Sequence, residues 1–141
     1  MTGRSGETLS GQERFELRLT VADAGPSLSA LRTRIAEALP ELAENVVADV
    51  QLVATELVTN AYLHGESPVT FRLFASPGQG RLRVETFDSG PGEPTMRRTG
   101  STESHGRGLL LVDGYSLDWG SMPEPVGKTV WAEFAVFTPE R

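Results

Sequence analysis

The longest uninterrupted pattern in the chain is helical, and a helix of that kind requires a second layer to pack against. From roughly Glu41 to Leu63 the residues Val46, Val50, Val53, Leu57 and Ala61 recur at helical spacing, and Gly65 stops the run. One apolar stripe of that length must be buried against another element. The rest of the chain offers sheet. Between Glu13 and Thr20, Phe15, Leu17 and Leu19 alternate with Glu16 and Arg18, which reads as a half-buried strand. Val69 to Ala75 and Arg81 to Phe87 flank Ser76-Pro77-Gly78 and read as a hairpin. Thr129 to Phe137, rich in β-branched and aromatic residues, reads as a further strand.

Two shorter helices complete the pattern. The turn Asp23-Ala-Gly-Pro26 leads into Leu28, Leu31, Ile35 and Leu39, with Pro26 suited to a first helical position and Pro40 ending the run. A second short helix is expected near Gly108 to Tyr115, after a long loop from Ser89 to His105. The order strand, two helices, hairpin, loop, helix, strands predicts an α+β two-layer sandwich. Its sheet is expected to be mixed but mostly antiparallel, with the helices on one face. Residues 1–12 are polar and glycine-containing and read as a loose tail, leaving 13–141 as one domain.

Charge and composition narrow the function. The 141 residues carry 13 basic and 19 acidic side chains, a formal charge of −6, which argues against a broad nucleic-acid surface. There is no cysteine, so neither a disulfide framework nor a thiolate metal site is possible, and His64 and His105 alone make a poor zinc site. No apolar run approaches a membrane span and the N-terminus has no secretory pattern, so a cytoplasmic protein is expected. In such an acidic chain, a polyphosphate would have to be held by backbone N–H groups, helix ends and a magnesium ion.

Three features carry chemistry. Glu56 and Asn60 are four residues apart in the long helical pattern and project from one face, with His64 a further turn along. Asn60 offers an amide oxygen, a hard ligand suited to magnesium, and Glu56 a carboxylate able to orient or deprotonate a hydroxyl. At the end of the predicted strand, Asp88-Ser-Gly90-Pro-Gly92 offers a fixed acceptor for an exocyclic amine such as adenine's. Its glycines allow close approach to a flat ring. Gly106-Arg107-Gly108-Leu109 opens the last helix, where free N–H groups favour phosphate. Taken singly, an amphipathic helix face, a loop turn and a flexible helix start account for each of these. Gly127-Lys128-Thr129 resembles the end of a P-loop, but Met122 stands where the first glycine belongs and a strand follows.

The order of the features is far more specific than any one of them. Glu56-Leu-Val-Thr-Asn60-Ala-Tyr-Leu-His64-Gly65, then Asp88-Ser-Gly90-Pro-Gly92, then Gly106-Arg-Gly-Leu109, then Gly127-Lys-Thr-Val-Trp131 resembles the GHKL ATP-binding superfamily from Phe15 to Phe137. Within it the chain looks like the stand-alone anti-sigma-factor serine/threonine kinases of bacteria, especially those of actinobacteria. The resemblance implies ATP and Mg²⁺ as cofactors. It implies Glu56 as catalytic base, Asn60 as magnesium ligand, Asp88 at the adenine amine, and Gly90 and Gly92 shaping the pocket. Gly106, Arg107 and Gly108 would meet the phosphates, Thr129 would help hold adenine, and His64 and Leu109 would line the site. Glu93 to His105 would form a lid over ATP, its Arg97 and Arg98 solvated or reaching phosphate.

The implied partner is a sigma factor, an anti-sigma-factor antagonist, or both, and a homodimer is consistent with the family. Two functions draw on the same residues: a kinase that phosphorylates or sequesters a regulatory protein, and a nucleotide-dependent binding switch without appreciable transfer. A detached histidine-kinase domain fits less well. His64 lies inside the nucleotide-site helix and His105 ends the lid, so neither stands on an acceptor hairpin.

Overall fold

A computed structural model of the chain describes residues 15–21, 27–66, 68–76, 80–90 and 106–136. The tail, Pro26, Gly92 and the lid segment through His105 lie outside the described residues. The elements run β1 (Phe15–Val21), α1 (Leu28–Ala38), α2 (Glu44–His64), β2 (Val69–Ser76), β3 (Arg81–Asp88), α3 (Gly106–Tyr115), β4 (Asp118–Pro123) and β5 (Lys128–Ala135). The five strands form one sheet in the order β1-β2-β3-β5-β4, and every pairing is antiparallel. The expected α+β architecture is present, without a parallel pair among the described strands.

Strand alternation separates the two faces of the sheet. Leu82 and Val84 on β3 share the inward face with Leu73 and Ala75 on β2 and with Ala132 and Phe134 on β5, and all are buried. Val50, Val53, Leu57 and Val58 of α2, Leu31 and Ile35 of α1 and Val112 of α3 complete the same apolar cluster. The predicted stripe of α2 is therefore the core-facing one, although Val46 is only partly buried at its edge. The outward face carries the intervening charges: Arg72, Arg83, Glu85 and Glu133 pair across β2, β3 and β5.

Three local features differ from expectation. Helix α1 begins at Leu28, with Ser27 as its N-cap accepting from the Ala30 N–H at 3.3 Å. Helix α2 begins at Glu44 instead of Glu41, after a turn in which the Leu42 N–H donates to the Leu39 carbonyl. The strand β4, Asp118-Trp-Gly-Ser-Met-Pro123, has no clear strand pattern in sequence. It is an edge strand held by pairing with β5 and by Trp119, which is buried against the core.

Candidate functional site

The end of β3 brings the first two sequence features together. Asp88 occupies the last inward position of the strand and is 2% exposed. Gly65, just past the end of α2, lies directly against its carboxyl group, where a Cβ would collide with the carboxylate. The next residue continues the contact: the Glu66 N–H donates to Asp88 Oδ1 at 3.3 Å, and the Glu66 carbonyl accepts from the Ser89 N–H at 3.3 Å. The Gly90 N–H also donates to Asp88 Oδ1, at 2.9 Å. Glu66, just past the helix-ending glycine, the strand-end aspartate, and Ser89 and Gly90 after it therefore form one hydrogen-bonded unit, with Gly65 packed against it.

A fourth member comes from β5. Lys128 is directly opposite Asp88 in the β3–β5 register, and its Nζ lies 3.2 Å from Oδ1 and 3.2 Å from Oδ2. Both side chains are nearly excluded from solvent, at 8% and 3% exposure. Burial strengthens such a pair and also makes an unpaired member costly. Gly127 makes this approach possible. It holds φ at 97°, and a Cβ there would collide with the Asp88 carbonyl. In sequence, Lys128 stands out only as part of the incomplete P-loop pattern Gly127-Lys128-Thr129. The local signal is alternation: Lys128 shares parity with Val130, Ala132 and Phe134, the inward residues of β5, and the register with β3 then sets it opposite Asp88.

The same parity separates Thr129 from the group. It pairs with Phe87, so it belongs to the opposite face, and its hydroxyl donates to Glu124 Oε2 at 3.0 Å. Strand alternation thus places Lys128, and not Thr129, on the face of the sheet that carries Asp88.

Helix α2 carries the remaining side chains back from Gly65. Asn60 is half-buried, and its Nδ2 is buried with no hydrogen-bond partner among the described residues. A buried amide left unmatched costs about 1–3 kcal/mol. Its presence fits a polar ligand more readily than a purely structural helix face. Glu56, one turn earlier, is half-buried and makes no ion pair with a described residue. His64 is exposed at the end of the helix. Thr86 adds a second unmatched group: it is 1% exposed, two positions before Asp88 on the inward face, and its Oγ1 has no described partner.

Helix α3 packs on α2. Gly106, Arg107, Gly108 and Leu109 form its first turn, where backbone N–H groups lack intrahelical acceptors. At its other end Asp113 Oδ1 accepts from Trp119 Nε1–H at 2.9 Å, which ties α3 to β4. The structure thus joins Asp88, Gly90 and α2 directly and lays α3 against α2. Gly92 lies outside the described residues, and Thr129 faces elsewhere. Among the described residues no helix is long and apolar enough to cross a membrane, and no three His, Asp or Glu side chains gather as a metal cluster.

Comparison with known proteins is consistent with this arrangement. The sequence model of the histidine kinase-like ATPase domain matches residues 20–134. No curated protein sequence matches the chain. Among solved structures, the RsbU and RsbW domains of Rv1364c from Mycobacterium tuberculosis superpose with a TM-score of 0.66 at 20% identity, over 89% of this chain and 34% of that one. The histidine kinase domain of a blue-light activated histidine kinase from Erythrobacter litoralis superposes with a TM-score of 0.52 at 20% identity, over 77% of this chain and 59% of that one. A second structure of that kinase gives 0.54 at 22% identity, over 77% and 42%. The chain spans between a third and three fifths of these proteins, and at such identities the likeness is one of fold.

Proposed function

From the premise that this chain belongs to the histidine kinase-like ATPase domain family, we propose that it binds ATP with Mg²⁺ and acts as a serine/threonine protein kinase on a regulatory partner protein, in the manner of anti-sigma-factor kinases. The observation that carries this reading is the Gly65–Asp88 junction. A buried carboxylate is fixed there by two backbone N–H groups at the end of the very helix that bears Glu56 and Asn60.

In this reading Asp88 accepts a hydrogen bond from the purine amine. Gly90 keeps the space beside it free of a side chain, and His64 borders the pocket. The N–H groups of Gly106 to Gly108, with Arg107, take the phosphates. Asn60 supplies an oxygen ligand to magnesium, while the buried, unmatched Nδ2 of that same amide is a donor that suits a phosphate oxygen and not the cation. Magnesium bound with the nucleotide neutralises phosphate charge. Glu56, without an ion-pair partner among the described residues, accepts the proton of a serine or threonine hydroxyl on the partner. The partner is a sigma factor or an antagonist of its inhibitor. The likeness to a chain that carries an RsbW domain beside an RsbU domain supports a regulatory protein partner.

The test is transfer of label from γ-³²P-ATP to candidate antagonist proteins. Transfer should be lost in Glu56→Ala while nucleotide binding is retained. Binding without transfer in the unaltered protein would favour the switch over the kinase.

A further inference from the structure

We propose that Lys128 is a second base-reading residue, and that the Asp88–Lys128 pair accepts guanine nucleotides as well as adenine nucleotides. This rests on the proposed nucleotide site and specifies what the site recognises. A carboxylate acting alone discriminates between purines by polarity. It attracts the 6-amine of adenine and repels the 6-oxygen of guanine. Asp88 does not act alone. An ammonium lies 3.2 Å from each of its oxygens, on the same face of the sheet and likewise buried.

The hydrogen-bonding capacity of the pair leaves room for a base. Asp88 Oδ1 already accepts from the Glu66 N–H, the Gly90 N–H and Lys128. Oδ2 has Lys128 as its described partner and retains a free lone pair. Lys128 has three N–H donors, and its described partners are the two oxygens of Asp88 alone. The pair therefore presents an acceptor and a donor side by side. Adenine matches it with the N6 amine and N1, guanine with N1–H and O6. With the ammonium in place, the guanine oxygen meets a donor instead of a bare carboxylate. A Lys128 that only neutralised Asp88 would stabilise the fold and leave base preference to the carboxylate.

The experiment is calorimetric titration of the full chain with Mg-ADP and Mg-GDP, in the unaltered protein and in Lys128→Met, with melting curves to verify folding. The expected result is dissociation constants for the two nucleotides within about tenfold of each other in the unaltered protein. In Lys128→Met, GDP should weaken by at least about tenfold relative to ADP, the discrimination that one well-placed base contact provides. An unaltered protein that prefers ADP by about a hundredfold or more overturns the proposal. So does a folded Lys128→Met with an unchanged ADP-to-GDP ratio. The ratio in the unaltered protein decides the matter even where the variant does not fold. Binding of neither nucleotide would remove the site itself and this proposal with it, a result distinct from binding of ADP alone.

Discussion

Gly65 and Asp88 are in such close contact that the end of α2 and the end of β3 share one space, with no room for a side chain between them. The contact aligns the helix that carries Glu56 and Asn60 with the strand that ends in the buried carboxylate. Everything attributed to the site depends on this alignment.

Gly65→Ala should therefore be damaging although the change is one methyl group. Its Cβ would meet the Asp88 carboxyl, which is itself held by Lys128 and two backbone N–H groups and has little freedom to move. Overpacking of this kind costs about 1–3 kcal/mol. Urea denaturation should show that loss, and nucleotide binding should weaken with it. Gly114→Ala, where a Cβ meets nothing within 4 Å, is the control and should leave binding intact. Equal behaviour of the two variants would refute the alignment argument.

Lys128→Met and Asp88→Asn should each be costly, and the double variant less so than their sum. Removing one member of a buried pair leaves the other uncompensated, at about 3–5 kcal/mol. Replacing both removes the charge altogether. A double-mutant cycle on unfolding free energies would measure the coupling. Strict additivity would mean that the two groups do not sense each other in solution.

How much of this was legible in the sequence follows from what each residue depends on. The stripe of α2 and the alternation of β2 and β3 are local patterns, and their buried residues could be read directly. Asp88 could be placed at a strand end because turn residues follow it. The alternation of Val130, Ala132 and Phe134 puts Lys128 and Thr129 on opposite faces, but that Lys128 meets Asp88 depends on the register of β5 against β3, a long-range pairing. Strand β4 is not legible in the sequence for a related reason. Gly120 and Pro123 are poor strand formers, and the segment is extended only because β5 offers a free edge. The contact of Gly65 with Asp88 joins residues 23 apart in sequence, and no spacing rule predicts it.

On the outer face, Arg83 should prove harder to replace than an ordinary surface arginine. Its guanidinium lies 4.5 Å from the Trp131 ring centroid and bonds to Glu85 at 2.8 Å and Glu133 at 2.9 Å. Lysine keeps the charge but cannot reproduce the planar fork that serves both carboxylates and the ring. Arg83→Lys should cost about 1 kcal/mol, the scale of one exposed cation–π contact. Thermal melts at low and high salt would read it. A variant as stable as the unaltered protein would reduce the network to solvated charge.

Asn60→Ala should have opposite effects on the free protein and on the complex. In the free protein the Asn60 amide nitrogen is buried without a described partner, so removing it relieves a desolvation cost. The variant should be as stable as the unaltered chain or more stable, by up to about 1 kcal/mol, as is common when a functional polar group is replaced. With Mg²⁺ and ATP present the order should reverse, because ligand binding to the folded state raises its stability and the variant loses the magnesium-dependent part of that gain. Melting curves of both proteins with ATP, each with and without Mg²⁺, would reveal the crossover. A variant less stable than the unaltered protein even without ligand would assign Asn60 a structural role, and its buried amide would need another explanation.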